Sequence, residues 1–171
     1  PDSRFVGLFG GGSLASEARL ALERAGVRGE VPDEPIPART PFGGGQRHLV
    51  IDTGEDVYTV GKPHPMVDQT VRCAMLEAAA SDPAVGVILL DLVLGDGSHP
   101  DPAPELAAAV ARGRGARGEA PLAVVCSVCG TDDDPQHAGR QGRALERAGM
   151  HVLPSAARAA AVAAALIGGE R

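Results

Sequence analysis

Lys62, the only lysine of the chain, and His64 stand in "TVGKPHPMVDQTVR" (59–72), with His64 set between Pro63 and Pro65. Proline fixes its own φ and pushes the preceding residue towards extended geometry, so both side chains ride on a stiff, non-helical approach. An imidazole held there can exchange protons near neutral pH, and the ammonium beside it attracts an anionic substrate. The same residues equally suit a turn into a helix at Val67, with Asp68 in its first turn favouring the dipole.

Two further stretches offer chemistry. "FGGGSLASEA" (9–18) is a glycine-rich strand-to-helix turn. Its glycines, Gly11 and Gly12 with Ser13, let the backbone approach a phosphate or carboxylate at a helix N-terminus. It is neither a G-x-G-x-x-G dinucleotide turn nor a Walker loop, and Ser13 also fits an ordinary N-cap with Glu17 nearby. In "GTDDDPQHAG" (130–139), Thr131, Gln136 and His137 would face a ligand from a second helix start. Asp134 at the N-cap and Pro135 at the first helical position account for that start without any ligand. Asp96, His99 and Asp101 mix metal-ligand types in "LGDGSHPDPAPE" (94–105), yet such a loop arises by chance and no metal is expected. Cys126 and Cys129 spell C-x-x-C at the end of an apolar run, where positions three apart point to opposite faces, so they read as core and strand-end thiols.

The elements that position these residues alternate. Apolar runs at 4–9 and 85–95 and "PLAVVCSV" (121–128) read as strands, the second buried on both faces. "MHVLP" is a short one. Leu14, Ala18, Ala21, Leu22 and Ala25 recur at helical spacing up to Gly26, and further helices are expected at about 67–80, 105–112, after Asp134 and after Ser155. "HLVID" and "DVYTV" are expected to form a hairpin or two edge strands. Residues 28–47, rich in Pro and Gly, read as a long loop. The order predicts a three-layer, doubly wound α/β domain with a mostly parallel, flavodoxin-like sheet, whose ligands bind at the carboxyl ends of the strands.

At 171 residues the chain suffices for one domain. A net charge of −6, no Trp, one Tyr and three Phe argue against nucleic-acid binding. With no spanning apolar run and no signal-peptide pattern, a cytoplasmic setting is expected. The start at Pro1 suggests a domain of a longer chain, and the Arg, Ala and Gly content suggests a bacterial source.

Taken in order, "GLFGGGSLASEA", "DTGEDVYTVGKPHPMVDQTVR", "VILLDLVLGDGSHPDPA" and "VCGTDDDPQ" resemble the carboxyl-terminal half of FdrA proteins. These are acyl-CoA synthetase-like relatives of the succinyl-CoA synthetase α subunit. The resemblance covers nearly the whole chain and implies a ligase domain that holds an anionic acyl or carbamoyl phosphate among Gly11–Ser13, Lys62, His64, Asp68, Thr131 and Gln136. In the synthetases a phosphorylated histidine lies in a "GHAGA" loop. His137-Ala138-Gly139 offers only "HAG" and lacks the long loop, which counts against a phosphoryl relay and fits carbamoyl transfer; His137 stays the candidate carrier should there be one, and His64 is the candidate substrate-positioning group. The resemblance further implies that CoA and ATP or GTP enter only through other domains of the chain or partner subunits, this domain binding no cofactor alone. Two alternatives are a subunit of an oxamate carbamoyltransferase in purine and allantoin breakdown, and a non-catalytic docking domain.

Overall fold

A computed structural model describes residues 3–32, 35–37, 42 and 48–168. Six strands form one parallel sheet: β1 (Arg4–Phe9), β2 (Gly29–Glu30), β3 (His48–Asp52), β4 (Val85–Val93), β5 (Ala123–Cys129) and β6 (His151–Leu153), in the order β2-β3-β1-β4-β5-β6. Apart from the added edge strand β2, this is the flavodoxin-like order, so the expected doubly wound α/β fold stands.

Side-chain alternation divides the core into two layers. Phe5 and Phe9 of β1, with Val87 and Leu89 of β4, pack beneath α1 (Gly12–Arg24) and α6 (Ala156–Gly168). Val6 and Leu8, with Ile88, Leu90 and Leu92, pack against α3 (Thr70–Ser81), α4 (Pro102–Ala116) and α5 (Ala138–Arg147). Helices α3 and α4 touch closely at Gly113, where a Cβ would lie 2.4 Å from the Ala80 Cβ and 2.8 Å from the Glu77 carbonyl oxygen. Gly113→Ala should therefore lower stability by about 1–3 kcal/mol despite the better helix propensity of alanine, a result that chemical denaturation would read.

Several boundaries depart from expectation. "DVYTV" does not form a strand: residues Asp56–Thr59 make the short helix α2. β3 already pairs with β1 on one edge and β2 on the other, which leaves no edge for a hairpin partner. Helix α3 begins at Thr70, because Val67 and Asp68 both donate to the His64 carbonyl and close a turn first. Helix α4 runs from Pro102 to Ala116, longer at both ends than predicted. Ser155 does cap α6, its Oγ accepting from the Arg158 N–H at 3.2 Å. Within the expected loop, Gly29–Glu30 forms β2, and residues 33–34, 38–41 and 43–47 lie outside the described residues. Among the described residues no helix is long and apolar enough to cross a membrane.

Candidate functional site

The strand order reverses between β1 and β4, and there the two strands part. Their ladder ends at Leu8 and Leu90, although β1 continues against β3 to Phe9 and β4 continues against β5 to Val93. Parting strands leave backbone groups unpaired, and two buried side chains take them up. Asp91, fully buried, accepts from the Gly10 N–H at 2.8 and 3.1 Å through its two oxygens. Arg72, 2% exposed, reaches across from α3. Its Nη2 donates to the Leu8 carbonyl at 3.0 Å, to the Asp91 carbonyl and to Asp91 Oδ1. A crevice at the carboxyl ends of the strands thus opens over a buried ion pair.

The glycine turn forms one wall. Gly11 is the N-cap of α1 with extended backbone, and the first bond of that helix runs from the Ala15 N–H to the Gly11 carbonyl. The N–H groups of Gly12, Ser13 and Leu14 therefore stand ahead of any acceptor within the helix. Ser13 lies in the first turn and is exposed; it does not cap the helix.

β3, which flanks β1 on the side away from β4, supplies an adjoining wall. Asp52 Oδ1 accepts from the Gly54 N–H at 2.8 Å, while Asp52 Oδ2 lies 3.0 Å from where a Cβ on Gly12 would stand. A Cβ on Gly54 would meet His64 Nε2 at 2.7 Å, and both Asp52 Oδ1 and the Gly10 carbonyl oxygen at 3.1 Å. Gly10, Gly12, Asp52, Gly54 and His64 therefore converge, and only glycine at 54 leaves room for the imidazole.

Of the sequence-predicted residues, Gly11, Gly12, Ser13 and His64 come together at this crevice. His64 Nδ1 accepts from the Met66 N–H at 3.2 Å, which places the proton of the neutral ring on Nε2, facing Gly54. It is a donor towards the crevice. Lys62 is exposed on the same loop. Asp68 turns instead to its own helix: its Oδ1 accepts from the Thr70 N–H at 2.8 Å, and the Thr70 hydroxyl, with that N–H, holds its carboxyl below the usual carboxylate range. Asp68→Ala should cost about 0.5–1 kcal/mol as a hydrogen bond lost just before the helix. Because the folded-state pKa is depressed, that contribution is present above the ordinary carboxylate pKa and disappears as pH falls through the folded value, so urea titrations at neutral and strongly acid pH should differ.

The residues after β5 lie on the far side of β4 from the glycine turn and His64. Three strand spacings separate β3 from β5, roughly 14 Å. Asp134 and Pro135 do not start the helix: the Asp134 carboxylate turns back to the Thr131 N–H at 2.6 Å, and α5 begins at Ala138 with His137 as N-cap. Thr131 is exposed. Gln136 is 2% exposed and its amide is fully engaged. It accepts from the Gly95 N–H at 3.1 Å and donates to the carbonyls of Gly95 at 2.9 Å and His99 at 3.2 Å. His137 is exposed, holds φ at 57°, and is the sole non-glycine residue with positive φ among those described. Its Nδ1 meets the Asp132 carbonyl at 2.8 Å, so it must donate there, leaving the Nε2 lone pair free. The two histidines are thus in opposite tautomers.

Among the described residues no three His, Cys, Asp or Glu side chains gather as a metal site requires. His99 bonds the Asp101 N–H and Glu105, and Asp101 bonds Gln141 and Arg140. Burial raises the thiol of Cys73 to about 11 and that of Cys126 to about 12, so neither is a nucleophile at neutral pH.

Sequence reasoning passed over Asp52, Gly54, Arg72 and Asp91. The charged residue inside "VILLDLV" was the available signal, since a carboxylate in a strand buried on both faces requires a partner.

With this geometry in view, the family is plain: residues 8–166 match the CoA-ligase model, and the chain belongs to that family. It is 35% identical over 164 residues to the uncharacterized protein YahF of Escherichia coli (strain K12), an alignment covering 91% of this chain and 31% of YahF. In fold it is similar to the dinucleotide-forming acetyl-coenzyme A synthetase 1 of Ca. Korarchaeum cryptofilum. The apo form superposes with a TM-score of 0.64 at 16% identity, over 96% of this chain and 32% of that one. The form in complex with phosphate and ADP gives the same TM-score over 95%. The chain spans about a third of the length of these relatives.

Proposed function

We propose that this CoA-ligase domain belongs to an FdrA-type protein and holds an anionic acyl or carbamoyl phosphate in the crevice between β1 and β4. The convergence of the Gly12–Leu14 N–H groups with the Nε2–H face of His64 carries this reading. Helix N–H groups favour a phosphoryl oxygen, and a neutral imidazole donor aligns a carbonyl beside it. His64 is accordingly a positioning group, and Lys62 draws the anion to the rim. In the ligase form of the reading His137 is the phosphoryl carrier, since its Nε2 has the free lone pair such a role demands. CoA and a nucleoside triphosphate then enter with other domains or partner subunits, in a cytoplasmic setting.

Asp52 favours the carbamoyl alternative. The Asp52 carboxylate, its Oδ2 beside Gly12, repels a purely anionic ligand but accepts from a carbamoyl NH2. That reading makes the chain a subunit of an oxamate carbamoyltransferase, in which phosphate displaces oxamate from oxalurate and leaves carbamoyl phosphate.

Calorimetric titration with acetyl phosphate and with carbamoyl phosphate, on the chain and on His64→Ala, tests both. Binding of either should weaken roughly tenfold in the variant, as one hydrogen bond to a charged ligand requires. Asp52→Asn should lower only the preference for carbamoyl phosphate. Unaltered affinity in His64→Ala removes the positioning role, and absence of binding to either compound leaves the non-catalytic docking domain as the reading.

A further inference from the structure

Arg72 is an unusual buried cation. Only Nη2 is hydrogen-bonded among the described residues; Nε is buried with no acceptor, although a guanidinium offers five N–H donors. Arg72 Nη1 lies 3.4 Å from where a Cβ on Gly10 would stand and the Asp91 oxygens 3.6 and 3.8 Å, so both members of the pair meet the glycine turn at the residue that has no side chain to cover them. Asp91, its one carboxylate partner, is shared with the Gly10 N–H. An ion pair therefore lies at the turn that starts α1, and removing either charge leaves the other there alone.

We propose that Arg72 is a positioning residue that sets the charge of this crevice, its guanidinium favouring a dianionic phosphoryl group at Gly12–Leu14 while its pair with Asp91 fixes the direction of the turn. This rests on the anion-binding reading above. The Arg72–Asp91 pair has two separable consequences. Loss of the cation weakens anion binding. Loss of the countercharge, with the acceptor for Gly10 retained, strengthens it. A merely structural pair predicts that both changes loosen the turn and weaken binding alike.

The test is titration of the chain with inorganic phosphate, followed by calorimetry and by the phosphate-dependent rise in Tm, which reports binding to the folded state. Arg72→Gln should bind phosphate roughly tenfold more weakly. Arg72→Lys, which keeps the charge, should stay within about threefold of the parent. Asp91→Asn should have a lower Tm without phosphate but a larger phosphate-dependent rise than the parent. Acetate, as a monoanion, should show smaller changes throughout. Unchanged phosphate affinity in Arg72→Gln, or weaker binding in Asp91→Asn, overturns the role of Arg72 and leaves the anion site standing. Absence of any phosphate effect on the parent chain overturns both. Should Arg72→Gln fail to fold, near-parent binding in Arg72→Lys together with tighter binding in Asp91→Asn supports the role, and tenfold weakening of both would show a structural pair only.

Discussion

Asp91→Ala is expected to lower the free energy of unfolding by about 3–5 kcal/mol, a large share of the stability of a domain this size. The truncation leaves the Arg72 guanidinium buried with no carboxylate, and the Gly10 N–H with no acceptor, at the one place where β1 and β4 no longer satisfy each other. A double variant separates the two costs. In Arg72→Met with Asp91→Leu both charges are gone, and apolar replacements of buried pairs often restore stability. Recovery should be partial, because the Gly10 N–H and the carbonyls of Leu8 and Asp91 still lack partners, each costing about 1–3 kcal/mol if no water reaches it. Urea denaturation of the parent, both single variants and the double variant gives the coupling energy directly. A loss below about 1 kcal/mol in Asp91→Ala would mean that the pair does not hold the crevice.

The sheet was legible in the sequence because its strands are extreme cases. β4 carries seven aliphatic side chains in nine residues and β5 is apolar over most of seven, and such runs bounded by Gly and Pro suit buried strands. Where local pattern misled, a long-range partner decided. "DVYTV" has a strand-like composition, but strand formation needs a free edge, and β2 and β1 had taken both edges of β3. Asp134-Pro135 has the composition of a helix start, yet the Asp134 carboxylate found the Thr131 N–H three residues back and closed a turn.

The site was legible in a more limited sense. Glycine turns and proline-flanked histidines announce themselves by backbone chemistry, so Gly11, Gly12, Ser13 and His64 stand out in the sequence as candidates. Their direction was not, because it depends on which ring nitrogen or N–H group a neighbour occupies. Met66 takes Nδ1 of His64, and Asp132 takes Nδ1 of His137. These bonds give one imidazole a donor at Nε2 and the other a lone pair, a distinction that no spacing of histidines reveals.

Gln136→Ala should reach the crevice from the far side of β4, with a loss of about 2–4 kcal/mol in stability and a weakened grip on His64. The amide of Gln136 closes the Gly95–His99 loop by bonding the N–H and carbonyl of Gly95 and the carbonyl of His99. His99 in turn donates its N–H to the Met66 carbonyl at 2.7 Å, and Met66 donates its own to His64 Nδ1. Gln69 steadies the same turn through the Pro65 carbonyl at 2.6 Å. The "DPQ" and "PHPM" motifs are thus ends of one hydrogen-bonded path, about 70 residues apart in sequence. Gln136→Glu sharpens the expectation. A carboxylate still accepts from the Gly95 N–H but turns an oxygen towards two carbonyls that had a donor, so it should be no better tolerated than alanine at neutral pH and should regain stability as acid protonates it. Hydrogen exchange of Gly95, His99 and Met66 amides would follow the path, with faster exchange at all three expected in Gln136→Ala. If Met66 exchange stayed at the parent rate while Gly95 and His99 opened, the path would end at the loop, and Gln136 would hold that loop alone.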